Sequence, residues 1–150
     1  MKVFVSVMLG VWCSVVAAGE VYTAQGVLVG EVTAGGALLQ VRLTNVAGPE
    51  LDDAGDVPGA AGVACFEYGL KEDLSDARRT EWMTAQVEND FIVRGVLAGL
   101  KEGTTYYYRP VFGVTRDEIR SGNIGQFATL PGTGSEREVS FIVGSCMNYF

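Results

Sequence analysis

Apolar and polar residues alternate with a period of two through much of the middle of the chain. In "ALLQVRLTN" (Ala37–Asn45), Leu39, Val41 and Leu43 share one face, and Gln40, Arg42 and Thr44 share the other. That is the pattern of an antiparallel strand covered on one side. "VACFEYG" (Val63–Gly69) sets Ala64, Phe66 and Tyr68 against Val63, Cys65 and Glu67 in the same way. Further strands are predicted in "GVLVGEVT" (Gly26–Thr33), "TEWMTAQV", "DFIVRGVLAGL" (Asp90–Leu100), "TTYYYRPVFG" and "IGQFATLP". The stretches between them, such as "VAGPELDDAGDVPGAAG", are rich in Gly and Pro and read as turns and surface loops. "LKEDLSDARRTEW" has no clear period and reads as a long loop. Short strands at close spacing, without an amphipathic helix, predict an all-β antiparallel sandwich of about seven strands over residues 20–131.

One local signal refines that fold class. "AGLKEGTTYYYR" places a leucine, a glycine turn and Tyr106 at the start of a strand. This spacing matches a tyrosine corner, in which the phenol bonds back to the backbone a few residues upstream, as in Ig/fibronectin III-like sandwiches. Alternation from there turns Tyr106 and Tyr108 inward and Tyr107 and Arg109 outward. An outward Tyr107 suits stacking on a sugar or a partner, although aromatic residues are also ordinary strand composition.

The first residues obey a different rule. "MKVFVSVMLGVWCSVVAAGE" runs from Lys2 through an apolar stretch, Val3–Val16, to the small residues Ala17, Ala18 and Gly19. That is the layout of a secretory signal peptide, residues 1–19, which predicts export to a periplasmic, cell-surface or extracellular location. A spanning helix needs about 20 apolar residues, so no stable membrane anchor is expected. Removal of the signal would take Cys13 and leave Cys65 and Cys146. These two fall in different predicted units, and the sequence leaves their pairing open.

Charge and composition narrow the chemistry. The formal net charge is −7 and the densest basic spot is only Arg78-Arg79, so nucleic acid is not an expected partner. The chain has no histidine, which removes the commonest general base and the commonest metal ligand. Asp52, Asp53 and Asp56 lie close together in "ELDDAGDV". Their oxygens would suit calcium, but the spacing is not that of a calcium loop, and a solvated acidic loop is expected.

Beyond the sandwich, residues 132–138 ("GTGSERE") are small and polar, as a linker should be. Residues 139–150, "VSFIVGSCMNYF", begin with a nearly continuous apolar run of the kind that suits a strand covered on both faces in an α/β sheet. Gly144-Ser145-Cys146 then stands just past the strand's carboxyl end, where chemistry gathers in such sheets. The plainer reading is an added edge strand of the sandwich.

Several stretches, taken in order, resemble the beginning of the PhoD-like alkaline phosphatase/phosphodiesterase family. They are "VGEVTAGGALLQVRLT", "FEYG", "VRGVLAGLKEGTTYYYRPVF", "GQFATLP" and "VSFIVGSCMNYF", and together they span roughly residues 26–150. The corner hairpin is shared with fibronectin type III and purple acid phosphatase N-terminal domains, whereas the Ser-Cys turn after a sandwich and linker is more specific. The resemblance implies a secreted metallophosphatase that hydrolyses phosphate esters with iron and calcium in the full-length protein. It also implies that Cys146 is a metal ligand, with the other ligands supplied by a catalytic domain beyond it. Met147 stands where the family often has Gln. After Glu138 the chain contains no Asp, Glu or His. A single thiol cannot assemble such a site, so residues 139–150 are expected to be the first strand of a missing catalytic domain, and this chain is expected to be inactive alone. The alternative from another class is a small secreted binding or adhesion module without enzymatic activity, since sandwiches of this kind serve many functions.

Overall fold

The computed structural model describes residues 19–48, 50–138 and 140. Among the described residues nine strands succeed one another: β1 (Val27–Gly30), β2 (Gly36–Arg42), β3 (Gly62–Gly69), β4 (Arg78–Arg79), β5 (Met83–Ala85), β6 (Ile92–Ala98), β7 (Thr105–Gly113), β8 (Ile119–Ser121) and β9 (Gly125–Ala128). A 3-10 turn at Val87–Asn89 separates β5 from β6. All the strand pairings are antiparallel and form two sheets. The smaller has the order β1-β2-β6; the larger runs β4-β3-β7-β8, with β5 also on β3 and β9 also on β7. The signal-peptide segment and the 139–150 strand with its Ser-Cys turn lie outside the described residues, apart from Gly19 and Ser140.

The sheets pack face to face over one core. Leu39, Val41, Val93 and Leu97 enter it from the small sheet, and Ala64, Phe66, Tyr106 and Tyr108 from the large one. Burying a large apolar side chain stabilises by roughly 1.5–3 kcal/mol, so these positions carry most of the fold. One contact joins the sheets closely. The Phe66 ring lies over Gly95 of β6, where a Cβ would come within 2.6 Å of Phe66 Cδ2. Glycine at 95 is a packing requirement.

Both outer edges of the large sheet are broken in the middle, for identifiable reasons. Along β3, residues 78–85 run as one interrupted strand: β4 pairs Glu67 and Tyr68, and β5 pairs Gly62, Val63 and Ala64. Between them Thr80 bridges the gap, its Oγ1 accepting from the Phe66 N–H at 2.9 Å and its N–H donating to the Phe66 carbonyl at 2.9 Å. Along β7 the partner changes from β9, at Thr105–Tyr108, to β8, at Val111–Gly113. Pro110 stands at the change, and it has no N–H to offer a ladder.

These features correct three expectations. The strand predicted in "TEWMTAQV" is only Met83–Ala85, because the chain must turn at Val87–Asn89 to reach β6. The short strands β4 and β8 add to the predicted set, since two or three residues carry no readable period. Thr44, placed on the polar face by alternation, is fully buried. The chain has left β2 there and pairs with Tyr22, and the Thr44 hydroxyl donates to the Val46 carbonyl at 2.8 Å.

Candidate functional site

Tyr106 sits at the start of β7, deep in the core and stacked on Phe127 at a ring-centroid distance of 5.8 Å. Its hydroxyl accepts from the Lys101 N–H, five residues upstream, at 2.9 Å. That bond pins the Lys101–Thr104 turn to the end of the sandwich. Tyr107 is half-buried on the outer face, paired with Gln126 across β9.

The same outer face carries a compact polar network. Glu67 on β3 accepts from Arg109 Nε on the neighbouring strand at 2.7 Å and from Arg79 Nη2 at 2.5 Å. The registers Glu67↔Arg109 and Glu67↔Arg79 place all three on one side of the sheet. Burial pushes the Glu67 carboxyl up, but hydrogen bonds and charge from the two arginines more than reverse this and hold it below its ordinary value. Arg79 and Arg116 lie 6.0 and 5.8 Å from the Trp82 ring centroid, so two guanidiniums share one indole. Cys65 belongs to this side of β3 and is fully buried, and among the described residues it forms no disulfide. Loss of hydration pushes its thiol up to about 11. Such a thiol is protonated and unreactive at neutral pH.

A second polar feature lies at the far end. Arg42, at the end of β2, grips Asp90 through Nη2–Oδ1 at 2.9 Å and Nε–Oδ2 at 3.1 Å, and donates to the Val57 carbonyl at 2.6 Å. Asp90 and Phe91 both adopt left-handed backbone (φ 50° and 55°), an uncommon state for two consecutive side-chain-bearing residues. The Arg42 grip on Asp90 helps to hold that turn. An open cleft of about 700 Å³ beside it is lined by Arg42, Asp52, Asp56 and Asp90 among others.

The carboxylates there do not converge. Asp52 Oδ1 accepts from the Ala54 and Asp56 N–H groups, both at 2.9 Å, so it closes its own loop. Among the described residues no group of three or more His, Cys, Asp or Glu is arranged to hold a metal ion. These residues therefore do not fit an iron–calcium site. Cys146, the ligand implied by resemblance, lies outside the described residues. The described residues form a scaffold that carries ion-pair clusters at Glu67 and at Arg42.

A family model described as the PhoD-like phosphatase, N-terminal domain, matches residues 13–131. The chain belongs to this family. The match runs to the end of the sandwich and takes in the Tyr106 corner, the Glu67 network and the Arg42–Asp90 turn. No curated protein matches the PhoD-like chain. Among solved structures, one of PhoD matches with a TM-score of 0.59 and 24% identity, covering 75% of this chain and 20% of that one. The PhoD-like chain thus spans about a fifth of that structure's length. A fibronectin type III domain of the human KIAA0970 protein matches with a TM-score of 0.54 and 12% identity, covering 82% of this chain and 84% of that one. At these identities the likeness establishes the sandwich fold and nothing finer.

The Glu67 and Arg42 clusters are not legible in the sequence. Their members are separated by 12 to 48 residues and meet only through strand register and a left-handed turn. Tyr106 is readable because its corner is local.

Proposed function

We propose that this chain is the N-terminal portion of an exported, metal-dependent PhoD-like phosphatase/phosphodiesterase. Residues 1–19 act as the signal peptide, 20–131 as the non-catalytic sandwich, 132–138 as the linker, and 139–150 enter the catalytic domain. The observation that carries this reading is the family match over 13–131, confined to an N-terminal domain. In the complete protein the catalytic domain binds iron and calcium and hydrolyses phosphate mono- or diesters. Cys146 would lend a thiolate to those metals, a donor that tunes metal charge strongly. Bound there, such metals would supply Lewis-acid chemistry toward a phosphate ester.

On this reading the 150-residue chain does not turn over substrate. Its donor set supports that: no histidine anywhere, and no carboxylate side chain after Glu138. The test is hydrolysis of p-nitrophenyl phosphate and bis-p-nitrophenyl phosphate by the purified chain with iron and calcium supplied. Release of p-nitrophenol at the buffer rate is expected. Metal-dependent turnover that disappears in C146S would overturn the reading, because the chain would then build a complete site of its own. Export is checked separately, by the mass of the protein recovered outside the cytoplasm, which should lack about the first 19 residues if a signal peptide is removed.

A further inference from the structure

The exit from the sandwich is fastened at each step. Thr129, buried at the end of the last strand, donates its hydroxyl to the Lys101 carbonyl at 2.6 Å and accepts from the Thr104 N–H at 2.9 Å. The Leu130 N–H donates to the Thr33 carbonyl at 3.0 Å, and the Leu130 carbonyl accepts from the Gly103 N–H at 2.9 Å. Past Pro131 the chain makes a tight turn over Gly132–Ser135, closed by the Ser135 N–H on the Gly132 carbonyl at 3.1 Å. Gly134 occupies its third position at φ 84°, as a type II turn requires. The Arg137 N–H then donates to Ser135 Oγ at 3.2 Å. From there the Arg137 side chain reaches back, and Nη1 donates to the Gly103 carbonyl at 2.9 Å.

Gly103 is fitted to both ends of this contact. It holds a left-handed φ of 55°, and a Cβ at 103 would stand 2.6 Å from Arg137 Nη1. A side chain there would strain the turn and push the guanidinium away. Glu102 is drawn in as well, because a Cβ on Gly132 would collide with its Oε2. A Gly- and Ser-rich stretch by composition alone would be a flexible tether. The hydrogen bonds describe something stiffer.

We propose that Arg137 clamps the linker onto the Lys101–Thr104 turn, so that residues 131–137 leave the sandwich as a fixed strut and set the angle of the domain attached to it. Tyr106 fixes the turn from the inside and Arg137 fixes it from the outside. The clamp rests on the proposed function only in taking a further domain to be attached beyond the linker; the contact itself concerns this chain alone. Arg suits the role because its guanidinium is a rigid, permanently charged donor, whereas the Lys ammonium is a point charge on a flexible stem.

The test is backbone 15N relaxation on the full 150-residue chain. Order parameters for the amides of residues 132–137 should match those of the sandwich, about 0.85, and fall below about 0.6 in R137A. R137K should lie between the two. The amide shifts of Thr105–Tyr108 report that the sandwich itself is unchanged. Wild-type linker values below about 0.6, or R137A values equal to wild type, would overturn the clamp. Phosphatase activity does not enter this measurement, so a failed clamp and a failed enzymatic reading are told apart.

Discussion

The two sheets bury their residues differently, although both are antiparallel and both face the same core. In the small sheet, alternation is clean: along β6, Val93, Gly95 and Leu97 are buried while Arg94, Val96 and Ala98 are exposed. In the large sheet it fails. Ala64, Cys65 and Phe66 are buried in succession on β3, as are Pro110, Val111 and Phe112 on β7. The difference lies outside the core. The outer face of the small sheet meets water, whereas that of the large sheet carries Arg79, Arg109, Arg116 and Trp82 around Glu67 and Cys65. A period of two reports a single wet face, and it is lost where side chains from loops and short edges replace the water.

The largest expected effect falls where the sheets share a side chain. Phe66 belongs to the large sheet and rests on Gly95 of the small one. Phe66→Ala should cost about 3–5 kcal/mol in denaturant unfolding, because it opens a cavity that backbone at Gly95 cannot fill. A loss near 1 kcal/mol would mean that the sheets are held together elsewhere.

Cys65→Ser tests the covered outer face. The residue is fully buried on the side that simple alternation assigns to solvent. Serine would bring a more polar group into that site, at a cost of about 1–3 kcal/mol unless it finds a partner. The thiol also predicts a pH dependence. Its folded pKa, pushed up to about 11, lies above the unfolded value of about 8.5. The protonated thiol therefore favours folding fully below about pH 8.5, and that contribution is lost as pH rises towards the folded value. Unfolding curves from pH 8 to 11 should fall more steeply in wild type than in C65S, the raised Tyr108 phenol contributing equally to both.

Legibility in the sequence divides along the same line. Leu39, Val41, Ala64, Phe66, Tyr106 and Tyr108 all point inward by alternation, and all are buried. The corner is legible because five residues of chain contain it, as the Lys101–Tyr106 bond shows. Cys65 escapes the pattern because its cover comes from a segment without period. The Arg42–Asp90 pair is invisible because it spans 48 residues and depends on left-handed backbone at Asp90 and Phe91. Asp visits left-handed backbone more readily than most residues, but Phe does not, so the residue types announce that turn only in part.

Tyr106→Phe should cost about 1 kcal/mol, as it removes one hydrogen bond and leaves the core shape intact. A smaller step is Glu67→Gln. The carboxylate is 13% exposed but its arginine partners are 32% and 45% exposed, so solvent screening keeps the expected loss at or below about 1 kcal/mol. Its sign with pH is opposite to that of Cys65. The folded pKa of Glu67 is depressed, so its contribution is present above the unfolded value of about 4.3 and fades as pH falls through the folded one. Wild type and E67Q should therefore differ at pH 7 and converge only as pH falls through the depressed folded value. A gap that persists in acid would assign the effect to packing rather than charge.

The smallest effect is expected on the exposed face of the small sheet, and it decides whether the comparison is sound. Val96 is 74% exposed, its neighbour Leu97 on the same strand only 1%. Register puts Val96 beside Leu38, and Leu38 opposite Gly30, so nothing on the edge strand β1 covers the pair from that side. Val96→Thr keeps the branched shape and the strand preference, and its hydroxyl meets water. The change should stay within about 0.5 kcal/mol, against the several-fold larger loss at Cys65 on the equivalent face of the other sheet. If Val96→Thr costs as much as Cys65→Ser, the outer face of the small sheet is covered in solution too. The partner would then have to be sought in a second copy, because this chain's described residues leave that face open. Sedimentation of wild type and V96T at matched concentrations would show it as a dimer that the substitution weakens.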